Sequence, residues 1–104
     1  MQFVLMIEHS PELCPMANAR IREAMKGGAQ RMPELAQHLG VTIVTWNVLG
    51  PDHLMVAVVE SDDIEKVRDF VVKSGLIQWN TTRIHASWSL EDALAKTDQL
   101  EPMF

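Results

Sequence analysis

Two stretches of this chain, Gln2–Glu8 and His53–Glu60, are apolar at both odd and even positions. In the first, Phe3, Leu5 and Ile7 hold one parity and Val4 and Met6 the other. Side chains of a strand alternate between its two faces, so a strand of this kind needs cover on both. That condition argues against a sheet with one face left open to water.

The other segments alternate around these strands. From Pro15 or Asn18 to His38, the residues Ile21, Met25, Gly28, Met32, Leu35 and Leu39 recur at steps of three and four, which is one face of a helix. Gly27 and Gly28 lower its propensity and Pro33 removes a backbone donor. The periodicity runs through all three, so one kinked helix is expected. Gly40 ends it. Val41–Leu49, rich in Val, Ile, Thr and Trp, reads as a strand. Gly50-Pro51-Asp52 is a turn that joins it in a hairpin to His53–Glu60. Ser61-Asp62-Asp63 opens a second helix, with Asp62 and Glu65 as a capping pair and Gly75 as its stop. Leu76–Trp79 is a short connection and Asn80–Trp88 a fourth strand. Ser89 starts a short last helix, and a loose tail is expected from Thr97.

The order β-α-β-β-α-β with a helical appendix is the ferredoxin-like split βαβ arrangement. It predicts an α+β fold: a four-stranded antiparallel sheet with both long helices on one face. At 104 residues the chain is one domain, residues 1–96, followed by a C-terminal tail at 97–104. In element order and in the double-sided greasiness of strands one and three, nearly the whole chain resembles the small dimeric α/β-barrel proteins. The resemblance implies a homodimer in which two such sheets pack face to face. That superfamily spans cofactor-free monooxygenases, small-molecule isomerases, haem-handling enzymes and ligand-sensing domains, so the chemistry has to be read from side chains.

Charge and cysteine usage narrow the partners. The net charge of −5 argues against nucleic acid and against anionic membrane, which want a basic footprint. Arg20, Arg22, Lys26 and Arg31 make the first helix locally basic, either as a solvated face or as an anchor for an anionic substrate. The single cysteine cannot form an internal disulfide, which fits a reducing compartment or a thiol kept for chemistry. The apolar run Phe3–Ile7 is too short for a signal peptide, and no stretch reaches the length of a membrane span. A cytoplasmic protein is expected.

The segment Glu8-His9-Ser10-Pro11-Glu12-Leu13-Cys14-Pro15 concentrates chemistry in one loop. Proline favours the first helical position, so Cys14 before Pro15 is expected near a helix N-cap, where a thiolate is stabilised. The alternative is a buried cysteine acting as a small hydrophobe. His9 ends the first strand, five residues before Cys14, within reach of a shared metal ion or of a base–nucleophile pairing. His53 begins a strand antiparallel to the first, which puts it at the same end of the sheet as His9. His85 shares its parity with Arg83 in the fourth strand, beside strand one. Each histidine alone is as ordinary as a surface or hydrogen-bonded residue, and His38 suits a helix C-terminus. Glu8 and Glu12 are acid–base candidates if buried. Trp79 and Asn80, just past a helix stop, are candidates to line a cofactor pocket or a dimer contact. Trp46 and Trp88 read as core.

Two functions follow. The first is a homodimer binding a transition metal, or a metal-containing cofactor, through His9 and Cys14, completed by His53 or His85. Thiolate plus imidazole favours zinc, copper, nickel or iron. The second is a small enzyme acting on an apolar or aromatic molecule, with His85 or His9 as base and Arg83 holding an anionic group, or with Cys14 as a redox or sulfur-carrying nucleophile. A ligand-sensing domain without chemistry is the third option.

Overall fold

Phe3, Leu5 and Ile7 are wholly buried, and so are Ala57 and Val59 on the strand beside them. These positions set the inner face of the sheet in the computed structural model, which describes residues 1–104. The strands are β1 (Gln2–Glu8), β2 (Thr42–Leu49), β3 (Leu54–Glu60) and β4 (Thr81–Ser87). They form one antiparallel sheet in the order β2-β3-β1-β4, with the two most apolar strands in the middle. This is an α+β architecture compatible with the ferredoxin-like fold.

Helices α1 (Ala19–Leu39) and α2 (Ile64–Lys73) cover the inner face. Val67, Phe70 and Val71 of α2 and Ala36 of α1 join the same core as Phe3 and Leu5. Each large side chain fully withdrawn from water there contributes about 1.5–3 kcal/mol. The apolar stripe expected for α1 packs as expected: Ile21, Met25, Met32, Leu35 and Leu39 lie against this core, and Gly28 is buried. The helix runs unbroken through Pro33 and stops at Gly40, which adopts the left-handed conformation that a Cβ disfavours.

Several boundaries differ from the sequence reading, each for a local reason. Helix α1 starts at Ala19, because Asn18 is its N-cap and accepts a bond from the Ile21 amide. A one-turn 3-10 helix at Pro11–Leu13 and a turn precede it, so Cys14 lies outside the helix and beyond its first-turn dipole. The cap of α2 is Asp63, which accepts from Glu65, while Asp62 pairs with Lys66 at 2.8 Å on the surface. Strand β2 carries an irregularity between Ile43 and Thr45, which leaves Val44 exposed and keeps Ile43 and Trp46 on the inner side. Helix α3 (Leu90–Asp98) continues past Thr97.

The expectation of cover on both faces meets a specific arrangement. Val4 and Met6 of β1 and Leu54, Val56 and Val58 of β3 share the outer face and are half-buried. Neighbouring edge strands bring Arg83 and His85 on one side and Thr45 and Asn47 on the other. The outer face is thus an apolar centre between polar flanks. Helix α3 leaves Leu90 and Leu94 exposed. Trp88, read as core, is also exposed, with the Lys96 ammonium 4.8 Å from its ring centre. No helix is long and apolar enough to cross a membrane.

Candidate metal centre

The β1–β3 ladder ends at the pair Glu8 and Leu54, and one more rung follows: the His9 amide donates to the His53 carbonyl at 3.1 Å. That rung holds the loop after β1 against the turn before β3. The two imidazoles then meet edge to face, with centroids 5.3 Å apart. His53 is the one non-glycine residue in the left-handed region, with φ of 56°. Such a conformation costs an L-residue roughly 1–2 kcal/mol. Backbone strain of this kind gathers where a side chain's direction matters.

Cys14 arrives by a different route. The first turns of α1 clamp its loop: Arg22 Nε donates to the Pro15 carbonyl at 2.9 Å and Nη2 to the Met16 carbonyl at 3.1 Å. The Asn18 side-chain Nδ2 donates to the Glu12 carbonyl at 3.0 Å. Cys14 itself retains 9 % exposure. Arg22 therefore ties down loop backbone, a use of its charge that neither a solvated face nor an anion anchor describes.

The result is a cluster of three donors. One ring nitrogen from each of His9 and His53 and the Cys14 sulfur all lie within 4.8 Å of one another. Around one tetrahedral ion, bond lengths of about 2.0–2.3 Å put donors roughly 3.3–3.7 Å apart, so ring rotations on the order of 1 Å close the set. Both nitrogens of His9 are buried without a hydrogen-bond partner. An unsatisfied buried polar group costs about 1–3 kcal/mol, which a bound cation would remove for the one nitrogen it ligates.

Connection Leu76–Gln78, a 3-10 turn set up by Gly75 in the left-handed conformation, supplies the back wall. It delivers Trp79 and Asn80, both buried. The Trp79 ring lies 5.4 Å from the His9 ring, tilted by 45°. Asn80 is held by its Nδ2, which donates to the Leu76 carbonyl at 3.1 Å, and its Oδ1 is left without a partner. Burial pushes the His9 pKa below its ordinary value, the neighbouring His53 pushes it the same way, and the adjacent Asn80 amide, close to the ring but outside hydrogen-bond geometry, pulls against both. The imidazole is thereby kept neutral, the form in which it ligates a metal.

The other candidates stand apart from the cluster. His85 pairs with Val4 in the middle of the sheet and is exposed on the outer face. Arg83 is on that same face, exposed, with Nη1 3.5 Å from a Glu8 carboxylate oxygen. Glu8 and Glu12 are both exposed, and so is His38 in the last turn of α1. No family of known proteins matches this chain in sequence, and no curated protein does.

Two outcomes are expected of the metal-free protein. His9 titrates below its ordinary value of 6.5 in the fold, so the unfolded chain binds more protons as pH falls through that value. Stability should drop as pH falls through about 6.5, and level off only below the folded-state pKa. The urea midpoint should fall less over this range in His9→Gln than in the wild type; an equal fall in both would contradict the assignment. Separately, His53→Gly should be more stable than His53→Ala by about 1 kcal/mol, because glycine accepts the left-handed backbone. Equal stabilities in urea would show that His53 carries no strain.

Proposed function

We propose that this chain binds a transition metal ion through His9, Cys14 and His53. The observation that carries the reading is a thiol and two imidazoles gathered from separate loops, with both His9 nitrogens out of water and unpartnered. A soft sulfur and two nitrogens select zinc, copper, nickel or iron over magnesium or calcium. Three protein donors leave one position of a tetrahedral ion for water or a ligand, the pattern of reactive rather than purely structural centres. Asn80 and Trp79 form the outer shell: an amide beside His9 to orient the ring and an indole to exclude water. His85 has no part in this set.

The working unit in this reading is a homodimer in a reducing, cytoplasmic setting. Its support is the outer sheet face, where Val4, Met6, Leu54, Val56 and Val58 form an apolar centre flanked by polar residues. A second copy presenting the same face is the simplest cover for it. The lone cysteine fits a compartment that keeps thiols reduced.

Titration of the metal-free protein with zinc or copper at neutral pH tests the proposal. One equivalent per chain should bind, releasing a proton as Cys14 becomes a thiolate ligand. Outer-shell changes at metal sites cost about 10–100-fold, so loss of the sulfur in Cys14→Ser should cost more than about 100-fold in affinity. His85→Ala should bind as the wild type does. Cys14→Ser with unchanged affinity would remove the reading.

A further inference from the structure

Two apolar cavities adjoin one another, and one of them reaches the cluster. One, about 570 Å³, has His9, Cys14 and His53 in its wall. The other, about 350 Å³, extends between α1 and the β2–β3 hairpin. They share Met25, Val48, Met55 and Trp79 as a common wall. Spaces of this size fall within the range of small-molecule sites and exceed the voids of a close-packed core.

The local sequence explains why the space exists. Ala24, Gly28 and Ala29 line it from α1 and are too small to fill it. Met25, Met32 and Met55 border it with flexible thioethers that can repack around a guest. Val48, at 69 % exposure, stands at the edge and gives solvent access. The Trp46 indole donates to the Met55 sulfur at 3.5 Å, so its one polar atom is occupied and the rest of that ring is apolar.

Neither cavity is lined by a single Lys, Arg, Asp or Glu. A charged guest would find no counter-ion there, and burying an unpaired charge is prohibitive. Apart from the three metal donors at one end, Trp46 and Ser74 of the lining are already engaged: Trp46 donates to the Met55 sulfur, and the Ser74 hydroxyl donates to the Val71 carbonyl and accepts from the Leu76 amide. We infer that the joined chamber holds the body of a neutral apolar or aromatic small molecule, whose single nitrogen or sulfur donor occupies the open position of the metal held by His9, Cys14 and His53. The head-group half of this inference rests on the metal reading; the chamber half does not. An anionic group held by Arg83 has no place in it, since Arg83 is on the opposite face of the sheet.

A matched pair of probes and a metal-independent one separate the two halves. In zinc-loaded protein, 4-phenylimidazole should bind at least tenfold more tightly than imidazole. Met25→Gln, which places an amide in the chamber wall, should remove most of that gain and leave imidazole affinity unchanged. In protein stripped of metal and labelled with carbon-13 at the methionine methyls, toluene should shift Met25, Met32 and Met55. Met1, Met6 and Met103 should stay in place. Chamber shifts with toluene in a protein that binds no zinc would sink the metal reading and uphold the chamber. Tight imidazole binding without a phenyl gain, or toluene shifts confined to Met6 on the outer sheet face, would uphold the metal and overturn the chamber. The same methyls shifting with protein concentration alone would mean that a second copy fills the space, and would also overturn it.

Discussion

A single backbone bond, from the His9 amide to the His53 carbonyl, joins the two halves of the site. It is one rung beyond the ladder that pairs Gln2 with Glu60 and Glu8 with Leu54. Its place depends on register, and register here depends on hydrophobicity. Phe3, Leu5 and Ile7 must face α1 and α2, and a slip of one residue would turn all three toward the other face. The core that fixes the sheet therefore also fixes which two loops meet at its end. Cys14 is added by hydrogen bonds from Arg22 and Asn18, so α1 sets the third donor as the β1–β3 ladder sets the first two.

Much of the fold was legible because it is written in periodicity. Apolar steps of three and four identified α1 through two glycines and Pro33, and the β3–β1–β4 adjacency followed from the split βαβ order. Features that depend on single hydrogen bonds were not legible. Which of Pro15 and Asn18 begins α1 turns on whether one amide finds a side-chain acceptor, and Asn18 provides it. The irregularity at Val44 changes strand parity by one residue without any glycine to mark it. Trp88 has the size of a core ring, but it follows the edge strand β4, where only the Lys96 side chain of α3 lies over it and most of the ring stays in water.

The site divides in the same way. His9 and His53 could be placed at one end of the sheet from strand direction alone, and Cys14 from its distance along the loop. His85 was grouped with them because parity gives a face but not a depth. Its partner is Val4, well short of the strand end, on the face turned away from the helices. The left-handed backbone at His53 and the role of Arg22 leave no trace in composition, since each depends on where neighbouring carbonyls fall. The chamber likewise depends on the absence of side-chain volume along α1, where Gly28 reads in sequence only as a weak helix former and Ala24 and Ala29 only as good ones.

The cluster also carries a stability cost in the metal-free fold. A half-buried imidazole without partners, a histidine in a left-handed turn and an apolar space beside them each weaken the metal-free fold. A cation that draws thiolate and imidazoles together would supply binding free energy against these costs. X-ray absorption at the metal edge of the zinc-loaded protein tests this most directly. The expected result is one sulfur at about 2.3 Å and two imidazole nitrogens at about 2.0–2.1 Å, with a light atom in the remaining position. A shell of oxygens alone, with no sulfur, would contradict it.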